Sequence, residues 1–146
     1  MSKVLLVTGG SRGIGAATAL RAAQDGWTVV VSYASRQDAA ERVVRTIRDV
    51  GGEAIAVRAD VAHEDQILSL FETVDRNFGR LAGLVNNAGV VDRTQRVDEM
   101  SHARLRRMFD INVIGAFICA REAVRRMSTR HGGTGGAIVN VSSAAS

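Results

Sequence analysis

The sequence predicts an α/β fold in which a doubly wound parallel sheet carries helices on both faces. Short apolar segments alternate with longer amphipathic segments along the 146 residues, which is the order expected of strand–helix–strand units. The apolar segments are almost continuously hydrophobic, as is typical of strands buried on both faces. Glycine follows most of the amphipathic segments, and it commonly ends helices.

The first part of the chain alternates strands and helices at short intervals. Strands are predicted over residues 3–8, 28–31 and 54–58, and helices over residues 14–24 and 37–50. The first strand is apolar until it meets Gly9-Gly10, and the two helices stop at Gly26 and Gly51. The second and third strands are the short apolar runs that follow those glycines.

The second part contains one more helix of ordinary length and one long helix. Helices are predicted over residues 65–78 and 102–127, and strands over residues 81–85 and 137–141. The helix over residues 65–78 has one apolar stripe, made by Ile67, Leu68, Phe71, Val74 and Phe78. Gly79 ends that helix, and the glycine-rich stretch 131–136 is predicted to be a loop.

We expect residues 1–146 to form a single domain, because the sequence contains no linker and no internal repeat. It stops directly after the fifth strand, where a parallel strand normally needs a covering helix. It also contains no proline. These features favour the N-terminal portion of a longer protein, truncated after the fifth strand.

Composition excludes several functional classes. The 19 basic and 15 acidic residues give a net charge of +4, which favours anionic ligands only weakly. Aromatic residues are 4% of the chain, too few to predict nucleic-acid binding. No apolar run is long enough for a signal peptide or a membrane span. The single cysteine, Cys119, is compatible with a reducing compartment, so we expect a cytoplasmic protein.

The histidines His63, His102 and His131 do not have the spacing of metal ligands. We therefore predict no metal site.

A glycine-rich loop joins the first strand to the first helix. Its glycines, Gly9, Gly13 and Gly15, are spaced G-x-x-x-G-x-G. Glycine allows backbone N–H groups to approach a pyrophosphate at a helix N-terminus, and the first strand–helix turn is where such ligands bind. The alternative is a tight turn that merely needs glycine. The predicted dinucleotide-binding residues of this loop are Gly9, Ser11, Arg12, Gly13, Ile14 and Gly15.

The residues after the second strand bear on the choice of nucleotide. No Asp or Glu precedes Asp38 there, whereas an NAD site typically offers an acidic residue to the ribose. Arg12 and Arg36 are predicted to bind a 2′-phosphate, with hydroxyls from Ser32 and Ser35. We therefore predict NADP rather than NAD. The alternative is that both arginines are solvated surface residues.

Taken together, several motifs resemble those of the short-chain dehydrogenases/reductases. They are the loop over residues 8–15, Asp60-Val61, Asn86-Asn87-Ala88-Gly89, Asn112, and residues 138–143. Within that family, the similarity is greatest to the branch of 3-oxoacyl-thioester reductases and glucose dehydrogenases. The resemblance covers the whole sequence and implies a Rossmann-like fold. It also implies hydride transfer between a nicotinamide cofactor and a carbonyl or secondary alcohol.

The resemblance implies roles for several further cofactor-binding residues. Asp60 would hydrogen-bond the adenine, with Val61 packed beside it, and Tyr33 would lie at the adenosine end. The ribose and nicotinamide would pass residues Asn87, Ala88 and Gly89. For Asn86 and Asn87, the alternative is hydrogen bonding that only stabilises the edge of the sheet.

Two residues are predicted to be catalytic. Asn112 interrupts a mostly apolar stretch of the long helix, so a buried amide there needs a partner. The resemblance implies that it perturbs the helix and holds a water in a proton relay; the alternative is a structural asparagine. By the same resemblance, Ser143 matches the family's catalytic serine, whose hydroxyl stabilises the charge that develops on the substrate oxygen. Ser142 is the alternative match.

The family's proton-donating Tyr–Lys pair has no counterpart in this sequence. The single tyrosine is Tyr33 and the single lysine is Lys3, and both are far from Ser143 along the chain. We expect an NADP(H)-dependent oxidoreductase for the longer protein, whereas residues 1–146 alone are expected to be inactive. The alternative is a non-catalytic dinucleotide-binding module.

The long helix carries many arginines, including Arg104, Arg106, Arg107, Arg121, Arg125, Arg126 and Arg130. Glu122 and Asp110 interrupt this charge, so we expect a solvated or subunit-facing helix rather than a nucleic-acid surface. The resemblance implies a homo-oligomer, a tetramer in the family, with an interface that could include Phe117, Ile118 and Cys119. Cys119 is otherwise expected to be a small buried residue.

Overall fold

The computed structural model describes residues 2–144 and confirms the α/β fold. The sheet has five parallel strands in the order β3-β2-β1-β4-β5. Strands β2 and β3 are added on one side of β1, and β4 and β5 on the other, so the strand order reverses between β1 and β4. The strands are β1 Val4–Val7, β2 Thr28–Tyr33, β3 Ala54–Arg58, β4 Leu81–Asn86 and β5 Ala137–Asn140. In a doubly wound sheet, the carboxyl ends of the strands at this change of direction form the ligand crevice.

Five α-helices connect the strands. They are α1 Gly13–Gln24, α2 Gln37–Asp49, α3 Glu64–Phe78, α4 His102–Phe109 and α5 Gly115–Met127. Short 3₁₀ turns occupy Val97–Glu99 and Thr129–His131. The helix predicted over residues 102–127 is interrupted, because a π-helical turn over Asp110–Ile114 separates α4 from α5. This turn contains Asn112, the residue for which the resemblance implied a perturbation of the helix.

The start of α5, directly after the π turn, packs closely against the ends of the sheet strands. A Cβ atom at Gly115 would lie 2.4 Å from the carbonyl oxygen of Val61, so only glycine allows the helix to approach the end of β3 this closely. On the other side, Nδ2 of Asn86 donates to the carbonyl oxygen of Ala116 over 2.8 Å. This bond ties the first turn of α5 to the end of β4. The same amide donates to Asn140 Oδ1 over 3.2 Å.

The two faces of the sheet carry separate apolar cores. Leu6 points into the core beneath α3 and α5, together with Phe71, whereas its neighbour Val7 points into the core beneath α1 and α2, together with Ile47. All four side chains are fully buried. This alternation follows from the period of two in a strand.

Ion pairs around Glu122 join α5 to α3. Glu122 is 4% exposed and accepts hydrogen bonds from Arg121, Arg125 and Arg126 at 2.9–3.0 Å. Arg126 also contacts Asp75 on α3 over 2.8 Å. Burial disfavours the charged form of Glu122, but the hydrogen bonds from Arg126 and Arg121 outweigh it and hold its pKa below the usual range. These arginines therefore pair within the fold rather than forming a free basic stripe.

The fifth strand is the least covered strand of the sheet. It pairs with β4 along one edge, and Val139 is 55% exposed. Between residues 2 and 144, no helix is long and apolar enough to cross a membrane.

Candidate functional site

A cleft of about 460 Å³ opens at the carboxyl ends of β1, β2, β3 and β4. Its position matches the crevice expected where the strand order reverses. Two of the predicted cofactor-binding residues, Gly15 and Ser32, do not line it. The predicted residues that do line it are Gly9, Ser11, Arg12, Gly13, Ile14, Tyr33, Ser35, Arg36, Asp60, Val61, Asn87, Ala88 and Gly89. The tertiary structure thus brings together residues from four separate strand ends.

The N-terminus of α1 reaches this cleft without a cap. Arg12 occupies the N-cap position and its side chain makes no capping hydrogen bond, and the first turn contains no acidic residue. By contrast, α3 has Glu64 and Asp65 in its first turn. The first backbone N–H groups of a helix lack internal partners and carry partial positive charge. The α1 terminus therefore offers N–H donors to an anion in the cleft.

Glycines let the loop take this shape. Gly9 has φ +61°, and a Cβ atom there would lie 2.9 Å from the Cα atom of Ala88. Gly13 has φ +56° with open space around it, so only its backbone conformation requires glycine. Gly15 does not line the cleft. A Cβ atom there would lie 2.5 Å from Asn87 Nδ2, so this glycine allows close packing of α1 against the loop after β4.

Hydrogen bonds fasten the glycine loop to the segment after β4. The buried hydroxyl oxygen of Thr8 accepts from the backbone N–H groups of Asn87 and Ala88, each over 3.0 Å. In return, Nδ2 of Asn87 donates to the carbonyl oxygens of Thr8 and Gly9, each over 3.0 Å. The Asn87 side chain therefore positions the loop. The sequence analysis did not predict that the Thr8 hydroxyl joins these two segments. The pattern that could have indicated it is a hydroxyl residue between an apolar strand and a glycine.

The predicted adenine end combines one fixed carboxylate with an apolar wall. Asp60 Oδ1 accepts from the backbone N–H of Ala62 over 2.9 Å, which fixes the carboxylate beyond the end of β3. Val61 and Ile111 line the cleft and are almost fully buried. The Ile111 contribution was not predicted, because the sequence does not indicate which face of the long helix meets the sheet.

The corner predicted for a 2′-phosphate contains Arg12, Ser35 and Arg36. The prediction that Ser32 adds a hydroxyl there is wrong. Ser32 is 1% exposed and does not line the cleft, because it lies within β2 and its side chain points into the sheet packing. Within residues 2–144 its hydroxyl has no hydrogen-bond partner.

The two arginines of this corner differ in their surroundings. Arg36 Nε lies 3.4 Å from Asp38 Oδ1, and Arg42 Nη1 lies 3.1 Å from Asp38 Oδ2. Hydrogen bonds from Arg36 and Arg42 lower the pKa of Asp38. In the described part of the chain, Arg12 has no ion pair. An arriving phosphate would therefore meet one unpaired guanidinium and one already paired with a carboxylate.

One arginine of the long helix also belongs to the cleft. Arg107 was predicted to lie on a solvated or subunit-facing surface, but it lines the cleft one turn before Ile111. Arg107 is exposed, which agrees with the solvated alternative, but the sequence did not indicate that this part of α4 borders the crevice. Among residues 2–144, Arg107 makes no ion pair.

Asn112 ties the loop after β4 to the π turn. Its Oδ1 accepts from the backbone N–H of Val90 and its Nδ2 donates to the Val90 carbonyl oxygen, each over 2.8 Å. The expected partner exists, but the expectation of a buried amide is wrong, since Asn112 is exposed. The adjacent Ile111 is the buried residue of the π turn.

Ser143 and Ser142 lie in the exposed segment that follows β5. Neither serine lines the cleft. The structure therefore assembles the predicted cofactor residues but does not bring the predicted catalytic serine among them.

Cys119 is fully buried in the core beneath α3 and α5. Burial, with a smaller contribution from the charge of Glu122, raises the pKa of its thiol to about 12. It is therefore an inert core residue, as predicted, and its suggested place in a subunit interface is wrong. Phe117 is 75% exposed. No group of three or more His, Cys, Asp or Glu within residues 2–144 is arranged to hold a metal ion.

Comparison with known proteins gives consistent matches across the chain. The family model described as short chain dehydrogenase matches residues 3–146. An uncharacterized oxidoreductase of Escherichia coli (strain K12), YgfF, is 48% identical over 143 residues, which cover 98% of this chain and 58% of that protein. A 3-oxoacyl-[acyl-carrier-protein] reductase of Synechocystis sp. is 42% identical over 144 residues, which cover 99% of this chain and 57% of the reductase.

The fold agrees with these sequence matches. A short chain dehydrogenase from Burkholderia cenocepacia J2315, solved in complex with NADP, is 37% identical with a TM-score of 0.89, covering 97% of this chain and 56% of that one. The chain thus spans somewhat more than half the length of the proteins it matches.

Proposed function

This chain belongs to the short-chain dehydrogenase family, and from that premise we propose that its cleft binds NADP(H) and that the protein interconverts a carbonyl and a secondary alcohol. The observation that carries the proposal is the uncapped N-terminus of α1, which reaches the cleft with no acidic residue in its first turn. We expect the diphosphate of the cofactor to bind between the glycine loop and the N-terminus of α1. The loop exposes backbone N–H donors there, and the helix terminus attracts negative charge.

The choice of NADP over NAD rests on charge. Arg12, Ser35 and Arg36 line this corner of the cleft, and the nearest carboxylate, Asp38, contacts Arg36 from outside the lining. A 2′-phosphate is better accommodated there than an unsubstituted ribose, because guanidinium groups bind phosphate through paired N–H donors. The NADP in the Burkholderia cenocepacia structure supports the same choice.

For the reaction, the bound nicotinamide would supply or accept the hydride. Ser143 would donate a hydrogen bond to the substrate oxygen while negative charge develops on it. Asn112 already fixes the loop that carries Val90, and in the proposed relay it would also orient a water. The substrate class is a small molecule with a carbonyl or a secondary alcohol.

The proton donor is not among the described residues. Tyr33 is 8% exposed and packs in the core beneath α2, and the ammonium of Lys3 lies 5.7 Å from the Trp27 ring centre. Tyr33 lines the cleft at the predicted adenosine end and Lys3 does not line it, so we expect neither residue to protonate a substrate beside a nicotinamide. A second candidate function for residues 1–146 alone is therefore nucleotide binding without turnover. Ketone reduction with NADPH by a longer chain that includes a Tyr–Lys pair would favour the enzyme; binding without reduction would favour the module.

We propose in addition that the protein forms a homo-oligomer, a tetramer as in the family, through the long helix. Leu105, Phe109, Val113 and Phe117 recur every four residues and are 40–75% exposed, which places an apolar stripe along α4 and α5. A stripe of this kind is typical of an interface with a second copy. We also propose a cytoplasmic location, because the lone cysteine suits a reducing compartment.

Two matched glycine substitutions test the nucleotide site. Gly13 and Gly26 both have positive φ and open space around them, but only Gly13 lines the cleft. Both Asp variants should lose a similar amount of stability. Gly13→Asp should abolish the increase in melting temperature that NADPH gives, because its carboxylate repels the diphosphate, and Gly26→Asp should retain it. An equal response of the two variants to NADPH would disprove the site.

A further inference from the structure

We propose that Asp38 limits the preference for NADP(H) by competing with the 2′-phosphate for Arg36. This inference rests on the proposed function and concerns one side chain that the function itself does not use. Asp38 does not line the cleft, yet it makes an ion pair with an arginine that does.

The geometry of the α2 N-terminus carries the inference. Arg36 is the N-cap residue of α2 and makes no capping hydrogen bond with its side chain. Its Nε instead donates to Asp38 Oδ1 over 3.4 Å. A guanidinium binds a phosphate best through two parallel N–H donors. With Nε engaged by Asp38, Arg36 has fewer of these donors available.

The Arg36–Asp38 ion pair is exposed and weak, so Arg36 can exchange Asp38 for a phosphate. The side chains of Arg36 and Asp38 are 62% and 61% exposed, and exposed ion pairs contribute little to stability. Asp38 is also held by Arg42 Nη1 over 3.1 Å, so the carboxylate stays at this corner after Arg36 leaves it. A bound 2′-phosphate would then lie near a carboxylate that repels it.

The other charged groups near this corner are cations or already have hydrogen-bond partners of their own. Arg12 faces the cleft without an ion pair in the described range, and Arg58 Nε donates to the carbonyl oxygen of Ala34 over 3.2 Å. Glu41, the next carboxylate on α2, accepts from Gln37 over 2.7 Å. Asp38 is therefore the carboxylate that contacts a phosphate-binding arginine. Its removal affects a ligand with a 2′-phosphate and not one without it.

The experiment measures dissociation constants of NADPH and NADH for residues 1–146 carrying Asp38→Asn. We expect NADPH to bind about two- to fivefold more tightly, the size typical of one exposed charge, with NADH unchanged. The matched control is Asp25→Asn, which removes a similar exposed pair with Arg21, 3.1 Å long, at the far end of α1. It should change neither constant.

A second substitution shows whether the effect passes through Arg36. Arg36→Gln alone should weaken NADPH binding, and adding Asp38→Asn to it should then bring a smaller gain than in the unaltered chain. Unchanged or weaker NADPH binding by Asp38→Asn would overturn the inference, because Asp38 would then be neutral or would orient Arg36. Equal tightening of NADPH and NADH would overturn it as well. If the unaltered chain bound neither nucleotide, the proposed function itself would fail.

Discussion

Thr8 and Asn87 join the glycine loop after β1 to the segment after β4 through reciprocal hydrogen bonds. The Thr8 hydroxyl oxygen accepts from the Asn87 backbone N–H over 3.0 Å, and the Asn87 amide donates to the Thr8 carbonyl oxygen over the same distance. The two residues are separated by 79 positions in sequence. Their hydrogen bonds fix the glycine loop after β1 against the segment after β4, and residues of both segments line the cleft.

Replacing Thr8 by Val tests this relationship. Val has nearly the same shape but leaves the N–H groups of Asn87 and Ala88 without their acceptor, so the free energy of unfolding should fall by about 1–3 kcal/mol. NADPH affinity should fall as well, because the loop loses its support. Denaturant unfolding and a binding titration measure both. Thr46→Val, which removes a hydroxyl bond on the exposed face of α2, is the control and should leave binding intact. Intact binding by Thr8→Val would contradict the prediction.

Arg36→Asp tests the choice between the two nucleotides. The substitution replaces a cation of the 2′-phosphate corner with a carboxylate that can accept hydrogen bonds from ribose hydroxyls. We expect the preference to shift toward NADH by about tenfold or more, since opposing charge is now placed beside the phosphate. The ratio of the two dissociation constants measures this shift. Unaltered NADPH affinity would show that Arg36 does not contact the phosphate.

Substitution of Arg107 tests the side of the cleft formed by Arg107 and Ile111, which the sequence analysis did not predict. Because it lines the cleft beside Val61 and Ile111, we expect Arg107→Gln to weaken binding of NADPH and of adenosine diphosphate by similar factors, about three- to tenfold. Nicotinamide mononucleotide, which lacks the adenosine half, should bind as before. Arg106→Gln, which removes an exposed contact with Asp110, is the matched control. Equal losses for both variants would indicate only a general effect of charge.

The buried Glu122 predicts a particular dependence of stability on pH. Since its pKa is lowered in the folded chain, its contribution is fully present above the pKa of an unfolded glutamate, about 4.3. The contribution disappears as the pH falls through the lower folded pKa. Glu122→Gln should therefore destabilise the chain at neutral pH by about 1–3 kcal/mol, and the difference from the unaltered chain should shrink in acid.

Denaturant unfolding across this pH range measures the difference. The control is Glu41→Gln on the exposed face of α2, which should change stability by less than about 0.5 kcal/mol at every pH. A difference for Glu122→Gln that stayed constant with pH would show that charge is not what Glu122 contributes.

The exposed stripe on α4 and α5 predicts an effect on assembly. Phe117 is its most exposed member, at 75%, so Phe117→Glu should dissociate an oligomer formed through this face without unfolding the chain. Sedimentation or light scattering at several concentrations gives the oligomeric state. Val91→Glu is the control, because Val91 is 97% exposed but lies outside the stripe. An oligomer that survived Phe117→Glu would place the interface elsewhere.

The sequence by itself determined the fold class, the five strands and the family. Strands buried on both faces are continuous apolar runs, and the glycines of the loop mark a turn that other residues cannot form. These signals are local, so they can be identified without knowing what packs against what. The residues predicted to bind a cofactor could be grouped from the sequence for a related reason, since most of them follow strand ends that a parallel sheet places along one edge.

The tertiary structure alone decided which side chains face the cleft. Ser32 is excluded because it is buried within β2, and Arg107 is included because α4 packs at the edge of the cleft. Glu122 interrupts a row of arginines in the sequence, yet it is buried and three of those arginines donate to it. Each of these outcomes depends on long-range packing, such as the close approach of Gly115 to Val61. No periodicity within a single helix or strand contains that information.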